Sequence, residues 1–192
     1  MTRAMILIAA LAVPRLALLG TTLTLAGVTT SAQTPDTMFI EELTWTEVRN
    51  AIQTGTTTII IPTAGTEQKG PHMVLGEHRF VVNHAAELIA RQLGNTLVAP
   101  VITHVPEGNL DPPSGHMRYP GTITLPNEYF MKIVEYSARS LAVHGFTDIV
   151  LIGDSGGNQR GMQQVAELLN AEWSMELTRV HFVGDYYSNN GF

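Results

Sequence analysis

The stretch "TDIVLIGDSGGNQRGMQQVAELLNAE", Thr147 to Glu172, decides the fold class of this chain. Thr147–Gly153 is an apolar, β-branched run too short for a helix and reads as a buried strand. Asn158–Glu172 reads as a helix. Between them, GDSGG is a tight turn of small residues leading from strand to helix. The same five letters carry the nucleophile of trypsin-like proteases, but on an all-β double barrel, usually disulfide-bonded, with a motif like TAAHC well upstream. This chain has neither that histidine motif nor any cysteine, and the protease reading is rejected. Gly153, Ser155 and Gly157 also satisfy the G-x-S-x-G pattern of hydrolase elbows. That arrangement is expected to have an aspartate and then a histidine downstream, whereas the histidine and aspartate that follow, His181 and Asp185, come in the reverse order on one strand. Ser155 is not read as a nucleophile.

Strand, loop and helix alternate along the rest of the chain. Thr44–Gly55 reads as a helix capped by Thr44 or Thr46, Thr56–Pro62 as a buried strand, and Thr63–His78 as a polar loop. Arg79–Gly94 is helical in pattern, Asn95–Ile102 is a strand, and Pro106–Pro120 is a long Pro/Gly-rich loop. Asn127–Gly145 reads as a long amphipathic helix with Asn127 as its cap, and Leu177–Tyr187 as a fourth strand. The expected fold class is α/β: a three-layer α/β/α arrangement with a mostly parallel sheet and helices on both faces. Ligands bind beyond the carboxyl ends of such strands, which singles out Thr63–His78 and Gly153–Asn158.

Residues 1–32 have a basic start at Arg3, apolar runs on either side of Pro14-Arg15, and Thr-Ser-Ala before Gln33. They are expected to be a secretory signal peptide cut after Ala32, with 33–192 as the mature domain. The run Leu16–Val28 is short for a spanning helix, so no stable membrane insertion is expected. Cleavage removes two of the 11 basic residues and none of the 17 acids, taking the formal charge from −6 to −8. An acidic surface argues against nucleic acid or an anionic membrane as partner. Absence of cysteine excludes disulfides and thiolate ligands, and a bacterial periplasmic or secreted location is expected.

"IPTAGTEQKGPHMVLGEH", Ile61 to His78, resembles the first signature of the creatininase (creatinine amidohydrolase) family, an apolar strand followed by a GSTEQHGPHLPLGTD-like loop. "SGHMRYPGTITL" (Ser114 to Leu125) is similar to that family's His-x-x-Phe-Pro-Gly-Thr segment, and "HGFTDIVLIGDSGGN" (His144 to Asn158) to its HGF–strand–NGHGGN segment. The resemblance runs from about Ile59 to Asn158. It implies a creatininase-like α/β fold and a metal-dependent hydrolase of C–N bonds in small or cyclic amides, often with two divalent ions. It also implies a homo-oligomer. Family members continue for several dozen residues beyond the position of Phe192, through an HAG-x-x-ETS-like segment, so the domain is expected to be incomplete at its C-terminus.

Residue by residue, the carried-over ligand set is altered. Glu67 is retained, but Lys69 stands where a histidine ligand would be, His78 where the bridging aspartate would be, and Ser155 where the histidine of NGH would be. Gly157 replaces a glutamate that some members have. A neutral imidazole offers one lone pair to one metal, and a lysine beside the site repels a second cation, so two ions are not expected. One divalent ion, Zn or Mn, is expected on Glu67, His78 and Asp154, with His72 or His116 in reserve. Alternatively, Lys69 takes over the metal's positive charge and stabilises an oxyanion beside Glu67 acting as base. The expected catalytic residues are thus Glu67 and Lys69, and the expected contacts to a small amide substrate are His72, His116, Ser155 and Asn158. Blander roles stay open: His78 as a helix cap, Asp154 as a turn residue, His72 and His116 as braces of their loops. The rival reading is a non-catalytic member that binds a small ligand or assembles with partners, and a third is an inert truncated product.

Overall fold

Every residue of strand β1, Thr58–Thr63, is buried, because the strand lies inside a sheet covered on both faces. Its neighbours are β2 (Thr96–Val98) and β3 (Asp148–Gly153), and β4 (Arg179–Phe182) forms one edge, in the order β2-β1-β3-β4. All pairings are parallel, so the expected mostly parallel sheet is wholly parallel among the described residues. The computed structural model describes residues 36–189; the expected signal peptide and the chain end at Phe192 lie outside them. None of the described helices is long and apolar enough to cross a membrane.

The sheet's alternation divides two cores. Ile59 and Ile61 of β1 with Ile149 and Leu151 of β3 pack against α3 (Asn127–Val143) and α4 (Gln159–Glu172), through Phe130, Val134, Val165 and Leu169. Ile60 and Ile152 point the other way, onto Val82, Ala86 and Ala90 of α2 (Glu77–Leu93). Each fully buried side chain of this size contributes roughly 1.5–3 kcal/mol, so the isoleucine triplet of β1 anchors both layers. Helix α1 (Trp45–Gln53) starts in a complete capping box, Thr44 with Glu47, which decides between the two threonines offered by the sequence.

Several boundaries differ from the pattern-based ones. Helix α2 begins at Glu77 rather than Arg79, which draws His78 into its first turn. The cap of α3 is Pro126, and the Asn127 amide instead donates to Met131 Sδ. Strand β2 stops at Val98, shortly before Pro100, whose ring has no N–H for the ladder. Strand β4 ends at Phe182, and Asp185–Ser188 coils into a short helix, α5, that carries Tyr186 and Tyr187.

After β1 the chain crosses one face by α2 to reach β2, then the other face by α3 to reach β3. Strands β1 and β3 are therefore the place where strand order reverses, and their carboxyl ends open a crevice. Two glycines let the loops over this crevice close in. A side chain at Gly157 would overlap the main-chain carbonyl of Pro106, and one at Gly65 would overlap the Glu107 carboxylate. Gly157→Ala is expected to destabilise the fold by about 1–3 kcal/mol, since the clash is with backbone. A denaturation midpoint equal to the parent's would show that the Pro106 segment yields freely.

Candidate functional site

The loop after β1 bends back on itself, with Glu67 N–H donating to Leu75 O at 2.9 Å, and this turns the Glu67 side chain inward at 5% exposure. Beyond β3, Asp154 is fixed by its N–H to Thr63 O at 3.0 Å, and Ser155 follows at the turn into α4. The third contribution comes from the segment after β2. Glu107 N–H donates to Thr124 Oγ1 (2.9 Å), and His116 N–H donates to Glu107 O (3.0 Å), so the backbone itself sets Glu107 and His116 side by side. These residues line a cavity of about 660 Å³, together with Lys69, His78 and Tyr187.

His78 is the hinge of the polar network. Its Nε2 lies 2.9 Å from Glu67 Oε1 and its Nδ1 3.1 Å from Asp154 Oδ2, with Glu77 Oε2 3.4 Å from the same Nδ1. Burial opposes a charge on this ring, but the hydrogen bonds to Asp154 and Glu67 outweigh it and raise its pKa to about 9. Burial likewise opposes ionisation of Glu67, yet hydrogen bonds from His78 and Glu107 and the charge of His116 hold it down at about 2. Glu107 goes the opposite way, to about 9, through burial and a hydrogen bond shared with the Glu67 carboxylate. Ser155 Oγ lies 3.2 Å from Glu107 Oε1 and 3.4 Å from Glu67 Oε1. Burial beside Asp154 also pushes Tyr186 up to about 12.

Of the residues singled out from sequence, Glu67, Lys69, His78, His116, Asp154 and Ser155 meet at the cavity. Lys69 is ion-paired with Glu77 at 2.9 Å. His72 is exposed on the Gly70–Val74 stretch and does not line the cavity. Asn158 is fully buried and donates to Thr63 Oγ1 at 2.7 Å, tying the turn after β3 to the end of β1. Glu107 was not anticipated. Its signal was an acid between Pro106 and Gly108, on the loop after the strand beside β1, but only the loops after β1 and β3 were singled out.

A metal set different from the expected Glu67, His78 and Asp154 comes together. The two carboxylates face opposite edges of the His78 ring and both its nitrogens are engaged, so those three do not converge on one point. Among the described residues, Glu67, Glu107 and His116 each bring a ligand atom within 4.8 Å of the others. Two carboxylates and an imidazole fit one divalent ion of the Zn or Mn kind.

Residues 41–190 match the family model for creatininase, creatinine amidohydrolase. The chain is 27% identical over 115 residues to the creatinine amidohydrolase of Pseudomonas putida, covering 60% of this chain and 44% of that one. It is 31% identical over 124 residues to the mycofactocin precursor peptide peptidase of Mycobacterium tuberculosis, covering 59% and 46%. The chain thus spans less than half the length of these curated relatives. A crystal structure of creatininase superposes with a TM-score of 0.70 at 22% identity, covering 79% of this chain and 59% of that one. A structure described as creatininase Mn gives 0.69 at 23%, covering 78% and 59%. At these identities the structural likeness shows the shared fold.

The raised pKa values of His78 and Glu107 carry a pH signature in the chelator-treated protein. Both groups bind a proton more tightly when folded than unfolded, so the stability they confer is complete at low pH and lost as pH rises toward about 9. The melting temperature should fall between pH 7 and pH 9, and His78→Gln should flatten the decline. A flat parent profile would contradict the buried imidazolium.

Proposed function

The chain belongs to the creatininase family, and from that premise we propose that its cavity hydrolyses a C–N bond of a small amide, cyclic amides foremost, with the help of one divalent metal ion. The observation that carries the reading is the gathering of three buried carboxylates, Glu67, Glu107 and Asp154, around one cavity at the strand-order reversal. Packing alone has no use for so much buried charge, and such concentrations mark sites of chemistry. A cavity of about 660 Å³ suits a small molecule, and its polar lining suits an amide.

Glu67, Glu107 and His116 would hold the ion, which when bound lowers the pKa of a water molecule and polarises a carbonyl. The chain's own groups then divide the remaining work. Glu67 stays ionised throughout the neutral range and so holds a fixed negative charge toward the cavity. The main chain of Gly156–Gly157 borders the cavity and would supply N–H donors for an oxygen that gains charge during attack, while Ser155 Oγ is engaged with Glu107. His78, held protonated between Glu67 and Asp154, offers a proton at Nε2 on the side facing Glu67. Lys69, paired with Glu77, adds positive potential at the rim. The leader-like residues 1–32 and the lack of cysteine support an exported, periplasmic or secreted protein.

The test is a turnover screen over cyclic amides (creatinine, hydantoins, lactams) with Zn or Mn supplied. Glu67→Gln, checked for parental melting, should cut the rate by more than about a hundredfold. Undiminished turnover would overturn the reading. Tight binding of a cyclic amide with no turnover would favour the non-catalytic alternative.

A further inference from the structure

We propose that Glu67, Glu107 and His116 together bind one divalent first-row metal ion, and that His78, Asp154 and Ser155 support these ligands without touching the ion. The inference deepens the hydrolase reading and rests on it for the ion's use; binding itself is read independently of turnover.

The first ground is an oxygen left bare. Glu67 is 5% exposed, and its Oε1 is taken by His78 at 2.9 Å, but its Oε2 is buried with no hydrogen-bond partner. His116 Nε2 stands 3.1 Å from that oxygen without the alignment of a hydrogen bond. A buried anionic oxygen without a donor is costly, and a cation between it and the imidazole removes the cost.

The second ground is the orientation of His116. Its Nδ1 lies 3.1 Å from the main-chain oxygen of Gln68, which can only accept. That contact is shorter than the 3.4 Å to the Gln68 side-chain amide, so Nδ1 carries the proton. In the neutral ring, Nε2 then presents its lone pair to Glu67 Oε2, and two electron pairs face each other across 3.1 Å. A histidine that donates one ring nitrogen to a backbone carbonyl and offers the other is set up as a metal ligand.

The third ground is support from behind. His78, itself held by Asp154 at 3.1 Å, fixes Glu67, and Ser155 Oγ at 3.2 Å steadies Glu107. The Gln68 carbonyl does the same for His116. All three ligands thus have a partner outside the ion's reach, as metal ligands require. The ion would also link Glu67 to a segment some forty residues away, so its binding should stabilise the fold.

The experiment uses the full chain, stripped with chelator and titrated with Zn²⁺ or Mn²⁺, with calorimetry and thermal melting as readouts. One ion per chain and a raised melting temperature are expected. Glu107→Gln and His116→Ala should each weaken binding by more than about tenfold. These variants remove ligands of different kinds, so poor folding of one leaves the other as the measure. His181→Ala, which breaks a surface pair with Asp148 (2.9 Å) on the β4 edge, should bind as the parent does. His78→Gln keeps an N–H for Glu67 and should retain most of the affinity. Parental binding by Glu107→Gln and His116→Ala, with binding lost in His78→Gln, would overturn the proposal. One bound ion without any turnover would leave it standing and count against the hydrolase reading, whereas turnover unaffected by chelation would do the reverse.

Discussion

A carboxylate taken out of water at the end of β1 is the constraint on which the rest of the site depends. Glu67 is buried and ionised at once, a combination that costs several kcal/mol unless positive charge and hydrogen bonds surround it. His78 meets one oxygen, and its own charge is balanced by Asp154. Glu107 can sit beside Glu67 in the metal-free protein only by keeping its proton. Charge therefore alternates outward from the cavity through His78 and Glu77 to Lys69.

Topology explains why these groups can meet. Helix α2 covers one face of the sheet and α3 with α4 the other, so the loops leaving β1 and β3 converge from opposite sides. Close approach needs missing side chains: Gly65 leaves room for the Glu107 carboxylate and Gly157 for the Pro106 carbonyl. Asn158 fastens the two strand ends through Thr63. The polar groups themselves sit mostly on the loops, which these backbone contacts and the ends of β1, β3 and α2 hold in place.

Family membership and site chemistry separate in this chain. The match to creatininase spans residues 41–190, and the backbone course agrees with solved creatininases. Lys69 and His78, which stand where the resemblance places two of the family's metal ligands, bring positive charge instead. Lys69 finds Glu77, and His78 finds two carboxylates, which leaves Glu67 Oε2, without a hydrogen bond, on the side of Glu107 and His116. The His78 imidazole occupies the side of Glu67 toward Asp154, so Glu67, Glu107 and His116 would hold a cation on the other side.

The amino-acid sequence alone determined the α/β class and the order of its elements as far as β4, since buried strands and amphipathic helices are set by local hydrophobic period. It also marked Glu67, His78, His116, Asp154 and Ser155, because the motifs that hold them are contiguous along the chain. Which of these residues touch was a matter for tertiary structure. His78 is the second residue of α2, and the helix aims its ring between Glu67 and Asp154, which no spacing in the sequence encodes. Asn158, written beside Ser155, turned out to be a buried fastener, while His72, three residues from Lys69, lies out in solvent. Glu107 belonged to no recognised motif and became part of the site only when the 107–116 segment folded over the crevice. Local pattern fixes secondary structure, but a site built from three loops depends on distances that only the closed fold sets.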